Sequence, residues 1–350
     1  MNALPDRIRI LVLVNDLDAF EIVRNPWPDR IEFIEVPSDV DLTTWPQDPF
    51  LVVDNAEEGK SLITSRAFSR ARDIEMGGFV AAKMGWLHEH SQLSFEGGNL
   101  VSDEETSFIG GNTIRINAAE LKLTEKEVAR HFALLLGRRI VVIGPVPQPV
   151  GHIDMILTPL GGGKILLADP NWGAEIAERE LLDSPRQVED FELRAEEMFF
   201  GHPEIHELKQ PDEQTIKRPE LVGRTGEAVA DSRELAGALD SIAQELVSQG
   251  FGVERVPYLS VRSSNPETNG VVGSRAAGPN YPVLTYNNVL IEEAGGEQHA
   301  YVPRYSLDAL DREGHAVWRN LGYRVHPIDE LTTSATYGGS LRCAVKVLAR

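Results

Sequence analysis

Cysteine is nearly absent from this sequence: Cys343 is the one thiol among 350 residues. That scarcity excludes an intramolecular disulfide and any zinc site built from cysteine pairs. Long apolar runs are missing too, and none reaches the roughly 18 residues that a membrane-spanning helix needs. The opening MNALPDRIRILVLVND carries neither a cationic leader nor a small-residue cleavage site, so a soluble, cytoplasmic protein with no membrane partner is expected. Basic charge is in short supply, with 34 Lys and Arg against 54 Asp and Glu, a formal charge of −20. Such a surface repels phosphate backbones, which argues against nucleic acid as a partner and in favour of a small cation.

Apolar residues are present in ordinary amount, 42% of the chain, enough for a substantial core. Continuous or alternating apolar runs predict strands at Ile8–Asn15, Ile31–Val36 and Phe50–Asp54. Thr124–Gly137 reads as a helix, opened by a capping box of Thr124 and Glu127 and closed by Gly137, and RIVVIG follows it as a strand. Asp231–Gly250 and Ser306–Tyr323 read as two more helices, each followed by a strand, at Gly252–Val256 and at YRVHPID. Three stretches, LVSDEETSFIGGN, MILTPLGGGKILLAD and VLIEEAGGEQHAYVP, each fold two short apolar runs about a polar or glycine-rich turn. The grammar of hairpin, helix and strand therefore recurs at least three times, which predicts a pseudo-symmetric closed arrangement within one domain spanning residues 1–350. The polar, non-periodic stretch 202–219 reads as a surface loop or insertion.

Four short segments combine ionisable groups with glycine or proline. WPQDPF sets Asp48 before a proline at the entry of a strand, where an Asp-Pro turn is the plain alternative. FEGGN sets Glu96 before two glycines that permit close backbone approach. GHIDMILTPL sets His152 and Asp154 two residues apart, on one face if the segment is a strand. GGSLRC sets Cys343 behind Gly338-Gly339, with the apolar AVKVLA after it as an expected strand. A lone cysteine is more often a small buried hydrophobe, and it becomes a nucleophile only where its surroundings favour the thiolate. Two further features carry less. Gly161-Gly162-Gly163-Lys164 lacks the spacing and the Ser or Thr of a phosphate loop, and His88-Glu89-His90 offers a metal no third ligand, so no metal is expected.

Taken in order, the four segments resemble the guanidine-modifying pentein superfamily, which includes agmatine, arginine and peptidyl-arginine deiminases, dimethylarginine hydrolases and amidinotransferases. WPQD resembles its Trp-x-x-Asp element, FEGGN its Glu-Gly-Gly-Asn element, GHID its Gly-His-x-Asp element and GGSLRC its C-terminal Gly-Gly-x-x-x-Cys element. The resemblance runs from Trp45 to Cys343 and implies an α/β fold: a five-bladed α/β propeller with pseudo-five-fold symmetry, built from ββαβ modules. It implies a hydrolase acting on the C–N bond of a small cationic guanidine, agmatine or an arginine derivative, without a cofactor. Cys343 is then the nucleophile and His152 the proton donor and later base. Asp48 and Asp154 grip the guanidinium, Glu96 orients it or supports His152, and Trp45 and Asn99 join the substrate-binding set. Family members often form homo-oligomers, and the resemblance fixes no number of subunits.

The match departs from the family at informative points. Gln47 stands where agmatine deiminases usually have Arg, and Phe50 follows Pro49 where they usually have Gly-Pro. Arg342 precedes Cys343 as in arginine deiminases, where agmatine deiminases typically have His. Two alternatives follow from the same residues. An amidinotransferase passes the amidino group to an amine through the same covalent intermediate, and a non-catalytic pentein scaffold uses the fold only for binding.

Overall fold

The computed structural model describes residues 4–18, 29–40, 42–55, 59–68, 70, 72–200, 221–261, 281–329 and 331–349. The stretch 202–219 expected to be an insertion lies outside the described residues. Strands β1 (Ile10–Val14) and β2 (Ile31–Glu35) pair in parallel as a two-stranded sheet. Each of the other four sheets begins with an antiparallel hairpin and then gains a parallel strand after a helical crossover. The first joins β3 (Phe50–Asn55) and β4 (Gly59–Thr64), then passes through helix α1 (Met76–Met84) to β5 (Leu87–His90). The second joins β6 (Leu100–Ser102) and β7 (Thr106–Gly110), then passes through α2 (Gly111–Leu121) and α3 (Glu125–Leu136) to β8 (Arg139–Ile143).

The third sheet joins β9 (Leu157–Gly161) and β10 (Lys164–Asp169). Its crossover holds α4 (Pro170–Asp183), α5 (Pro185–Phe200) and α6 (Thr225–Ser248) before β11 (Gly252–Leu259), and β12 (Leu284–Thr285) adds an antiparallel edge. The fourth joins β13 (Leu290–Ala294) and β14 (Glu297–Pro303), then passes through α7 (Asp308–Asn320) to β15 (Arg324–Ile328). A short helix α8 (Thr332–Thr336) leads to the last described residues. The fold is mixed α/β, and the repeated unit foreseen three times occurs in four sheets. A parallel strand cannot follow its neighbour by a tight turn, so each unit needs its helix.

Strand β10 shows how the sequence dictates this packing. Ile165, Leu166, Leu167 and Ala168 are all fully buried, the continuous apolar run expected of a parallel strand covered on both faces. Ile165 and Leu167 enter a core with Phe108, Leu239 and Leu246, whereas Leu166 points the other way into a core with Ile176, Tyr286 and Trp318. Helix α3 has the foreseen capping box. Thr124 Oγ1 accepts from the Glu127 amide, Glu127 Oε2 accepts from the Thr124 amide at 2.7 Å, and Gly137 closes the helix at φ 63°.

Three expectations are corrected. AVKVLA is not a strand: residues 341–344 form a turn, with the Ala344 amide bonded to Ser340 O at 3.1 Å, and the residues after it join no sheet. The start of GHIDMILTPL is not a strand either. His152 is extended, Ile153–Met155 form a single 3₁₀ turn, and β9 begins only at Leu157. Helix α6 starts six residues earlier than the apolar pattern predicts. Its buried face begins with Thr225, Ala228 and Val229, of which only Val229 carries a clear apolar signal. Among the described residues no helix is long and apolar enough to cross a membrane.

Candidate active site

The motif segments share one place in the architecture. Asp48 lies just before β3, Glu96 just before the turn that opens β6, and His152 and Asp154 just before β9. Asn287 and Asn288 lie just before β13 in the same way, and Cys343 sits in the turn after α8. Residues that lead into the first strand of a hairpin have no ladder partner of their own, so their polar groups can turn toward one another.

They do so over short distances. Glu96 Oε2 lies 2.6 Å from His152 Nε2, and Asp48 Oδ1 lies 3.7 Å from Nδ1 on the other side of the ring. Asp48 is itself held: the Gly98 amide donates to Oδ1 at 2.9 Å and Arg70 donates to Oδ2 at 2.7 Å. Burial alone favours a neutral imidazole, but the negative charges of Asp48 and Glu96, with the bond to Glu96, outweigh it and raise His152 to about 10. His152 is therefore an imidazolium at neutral pH, set up to donate a proton rather than to take one from a thiol. Gly98 makes this geometry possible, because a Cβ there would stand 2.4 Å from His152 Nδ1.

Asp154 is fully buried. Arg342 donates to its Oδ2 at 2.6 Å, whereas Oδ1 meets no hydrogen-bond partner among the described residues. Burial raises its pKa against the pull of Arg342 and His152, the mark of a carboxylate that lacks part of its solvation. Cys343 Sγ lies 3.9 Å from that Oδ2 and 3.2 Å from Asn288 Nδ2, which donates to it. Burial pushes the thiol up, and the charges of Asp154 and Asp48 push it further, while the Asn288 bond acts the other way. These effects favour the protonated thiol at rest, and an added positive charge beside it favours the thiolate.

The expected set is largely brought together. Trp45 packs with Met155 and Cys343 in one small apolar cluster. Its ring lies so close to Gly339 that a Cβ there would stand 2.4 Å from it and 3.1 Å from Cys343 Cβ. That close approach accounts for Gly339, while Gly338 adopts a left-handed φ of 83°. Asn99 stands behind the site: its Oδ1 accepts from Gln148 Nε2 at 2.9 Å and from the Ile153 amide at 3.3 Å, so it anchors the His152–Asp154 turn. His88 and His90 stand apart from this cluster, with His88 Nε2 bonded to Thr64 Oγ1 on β4.

Four participants carried little sequence signal. Asn288 Oδ1 accepts from the amides of Arg342 at 2.8 Å and Cys343 at 3.2 Å, so one side chain holds both the turn and the sulfur. Its position ahead of a hairpin, matching Asp48 and Asp154, was the available clue. Arg70 bridges Asp48 and Asp73 from 22 residues away in sequence. Arg342 was visible only as a neighbour of Cys343. Lys346 donates to Gln47 O at 2.9 Å and lies over the Phe50 ring. Burial and the charge of Arg342 lower it to about 7, against the pull of Asp48 and Asp154.

Comparison with solved structures places this fold. The agmatine deiminase of C. jejuni superposes over 96% of this chain and 80% of its own, with a TM-score of 0.59 and 13% identity. The agmatine deiminase of Enterococcus faecalis superposes over 95% and 81%, with a TM-score of 0.59 and 12% identity. The chain thus shares the fold of these two structures across nearly its whole length. No family model matches the sequence, and comparison with curated proteins finds no match.

Proposed function

We propose that this chain hydrolyses a C–N bond of a small guanidine through a covalent intermediate on Cys343, and that its five sheets are the blades of the pentein propeller. The observation that carries the reading is the half-satisfied Asp154: a fully buried carboxylate oxygen without a partner among the described residues, on the group whose other oxygen lies 3.9 Å from the only thiol. A planar N–H donor with positive charge satisfies that oxygen and brings its central carbon to the sulfur. The shared fold supports the reading, and so does the order of the motif residues.

A guanidinium is resonance-stabilised, so its central carbon is a poor electrophile. Asp154 fixes its plane, and Asp48 adds negative charge from the His152 side. The arriving cation favours loss of the Cys343 proton to solvent, and Asn288 steadies the resulting thiolate. The thiolate attacks the central carbon to form a C–S bond. His152 gives its proton to the departing nitrogen as the C–N bond breaks, leaving ammonia or an alkylamine and an amidino-thioether. The ring, now neutral and held by Glu96, takes a proton from water as that water adds to the same carbon. The C–S bond then breaks, and a ureido product leaves the thiolate behind. Trp45 walls the sulfur from solvent, and Asn99 keeps the His152–Asp154 turn in place.

The test is formation of ureido product and ammonia across agmatine, arginine, methylated arginines, guanidino acids and a blocked peptidyl arginine. Turnover of one of them, lost in Cys343→Ala, is the expected result. Turnover undiminished in that variant, or none across the panel, contradicts the reading.

A further inference from the structure

The electrostatics of the site are unusual for a receptor of cations. Three carboxylates, Asp48, Glu96 and Asp154, face four basic groups: Arg70, His152, Arg342 and Lys346. Asp48 is paired with Arg70 and Glu96 with His152. Asp154, which is to take the substrate guanidinium, is already paired with Arg342. Among the described residues Asp154 is the only carboxylate paired with Arg342, and none is paired with Lys346. A guanidinium that settles on Asp154 therefore competes with Arg342 for its one anion. A substrate with a second positive charge, such as agmatine, makes this worse by adding a cation beside Arg342 and Lys346.

A zwitterion resolves the conflict, because it replaces both halves of the Asp154–Arg342 pair at once. Resting on the guanidine reading above, we infer that the substrate is a guanidino acid, whose carboxylate binds Arg342 and Lys346 while its guanidinium binds Asp154. The spacer is short, a few methylenes, because Arg342 Nη1 and Asp154 Oδ2 stand 2.6 Å apart and both ends of the substrate must meet them. The state of Lys346 agrees: burial and Arg342 hold it near 7, and an incoming carboxylate supplies the counter-charge it lacks. Arg342 also has the planar fork suited to a carboxylate, with Nη2 held only by a long bond to Leu100 O at 3.4 Å.

Binding to the Cys343→Ser protein tests this without turnover. Calorimetry at fixed ionic strength compares 4-guanidinobutyrate, n-butylguanidine and agmatine, which share the guanidine and differ in the charge at the far end. The zwitterion is expected to bind about tenfold or more tighter than agmatine, with butylguanidine between them. Adding Arg342→Gln should cost the zwitterion about tenfold and narrow the series. Adding Lys346→Met should weaken the zwitterion several-fold and leave butylguanidine little changed. Agmatine binding as tightly as the zwitterion, an order that survives Arg342→Gln, or no binding at all overturns the inference. The hydrolase reading fails separately: the expected order of binding with no turnover by the Cys343 protein contradicts hydrolysis and leaves the guanidino acid in place.

Discussion

Arg342 and Cys343 are neighbours in sequence, and both converge on one oxygen of Asp154, the guanidinium at 2.6 Å and the sulfur at 3.9 Å. The carboxylate nearest the thiol is therefore already charge-compensated in the resting protein. Neutralising Asp154 in this way spares the thiol part of a repulsion that burial makes severe. It also means that a substrate guanidinium on the open Oδ1 must share the charge of Asp154 with Arg342.

Asn288 holds the sulfur and the two amides of the cysteine turn with one amide side chain. Asn288→Asp keeps the shape, replaces the donor to sulfur with an acceptor and adds negative charge 3.2 Å from it. The thiol pKa should rise further, and alkylation of Cys343 at pH 8 should slow about tenfold or more. An unchanged alkylation rate contradicts the role given to Asn288.

His152 links the site to stability. Its folded pKa of about 10 is above its ordinary 6.5, so its protonated form stabilises the fold. That contribution is complete below 6.5 and is lost as pH rises through about 10. Urea midpoints of the protein and of His152→Gln should differ most near pH 6 and converge above pH 10. A gap that widens with rising pH has the wrong sign for an imidazolium held by Asp48 and Glu96.

Lys346 behaves in the opposite sense. Its folded value of about 7 lies below the ordinary 10.5, so charging it in the folded state costs stability. That cost is complete below 7 and fades as pH rises toward 10.5. Lys346→Met should therefore unfold at a higher temperature than the parent near pH 6, with an advantage that shrinks in alkali. A variant that is less stable at pH 6 shows instead that the bond to Gln47 O outweighs the buried charge.

Gly98 is closely confined beside the ring. A methyl group there stands 2.4 Å from His152 Nδ1 and 3.0 Å from Asp48 Oδ1, so Gly98→Ala must push the imidazole off its carboxylates. About 1–3 kcal/mol of stability should be lost, and turnover should fall about a hundredfold through misplacement of the proton donor. Full activity in this variant argues that His152 has no positional role.

The parts of this fold that sequence revealed are those fixed locally. The run of β10, the hairpins and the Thr124–Glu127 cap each follow from residues within one turn or one strand of one another. So do the four motif segments, because each packs its polar group and its glycine or proline into a few positions. What escaped depends on residues distant in sequence. Arg70 matters because Asp48 is folded against it, and LTYNNVL, legible as a channel lining or equally as a hairpin interior, gave no sign that the cysteine turn docks on Asn288. AVKVLA looks like a strand because it is apolar, yet Lys346 turns inward to Gln47 and no sheet receives the segment. The His152–Asp154 pair does meet at one place, but not on the strand expected. A 3₁₀ turn, rather than strand alternation, sets the two side chains around the site, and Asn99 holds that turn from the turn that precedes β6.

Because the chain has a single thiol, the rate at which that thiol gains mass reports on the site without ambiguity. The most direct test is alkylation of Cys343 by 2-chloroacetamidine, set beside its neutral isostere 2-chloroacetamide, in the parent protein and in Asp154→Asn. If Asp154 grips a guanidinium beside the sulfur, the cationic amidine should react about a hundredfold faster than the amide, and that preference should vanish in Asp154→Asn. Equal rates for the two reagents in the parent protein, or a preference that Asp154→Asn leaves intact, would contradict a guanidinium site built on Asp154 and Cys343.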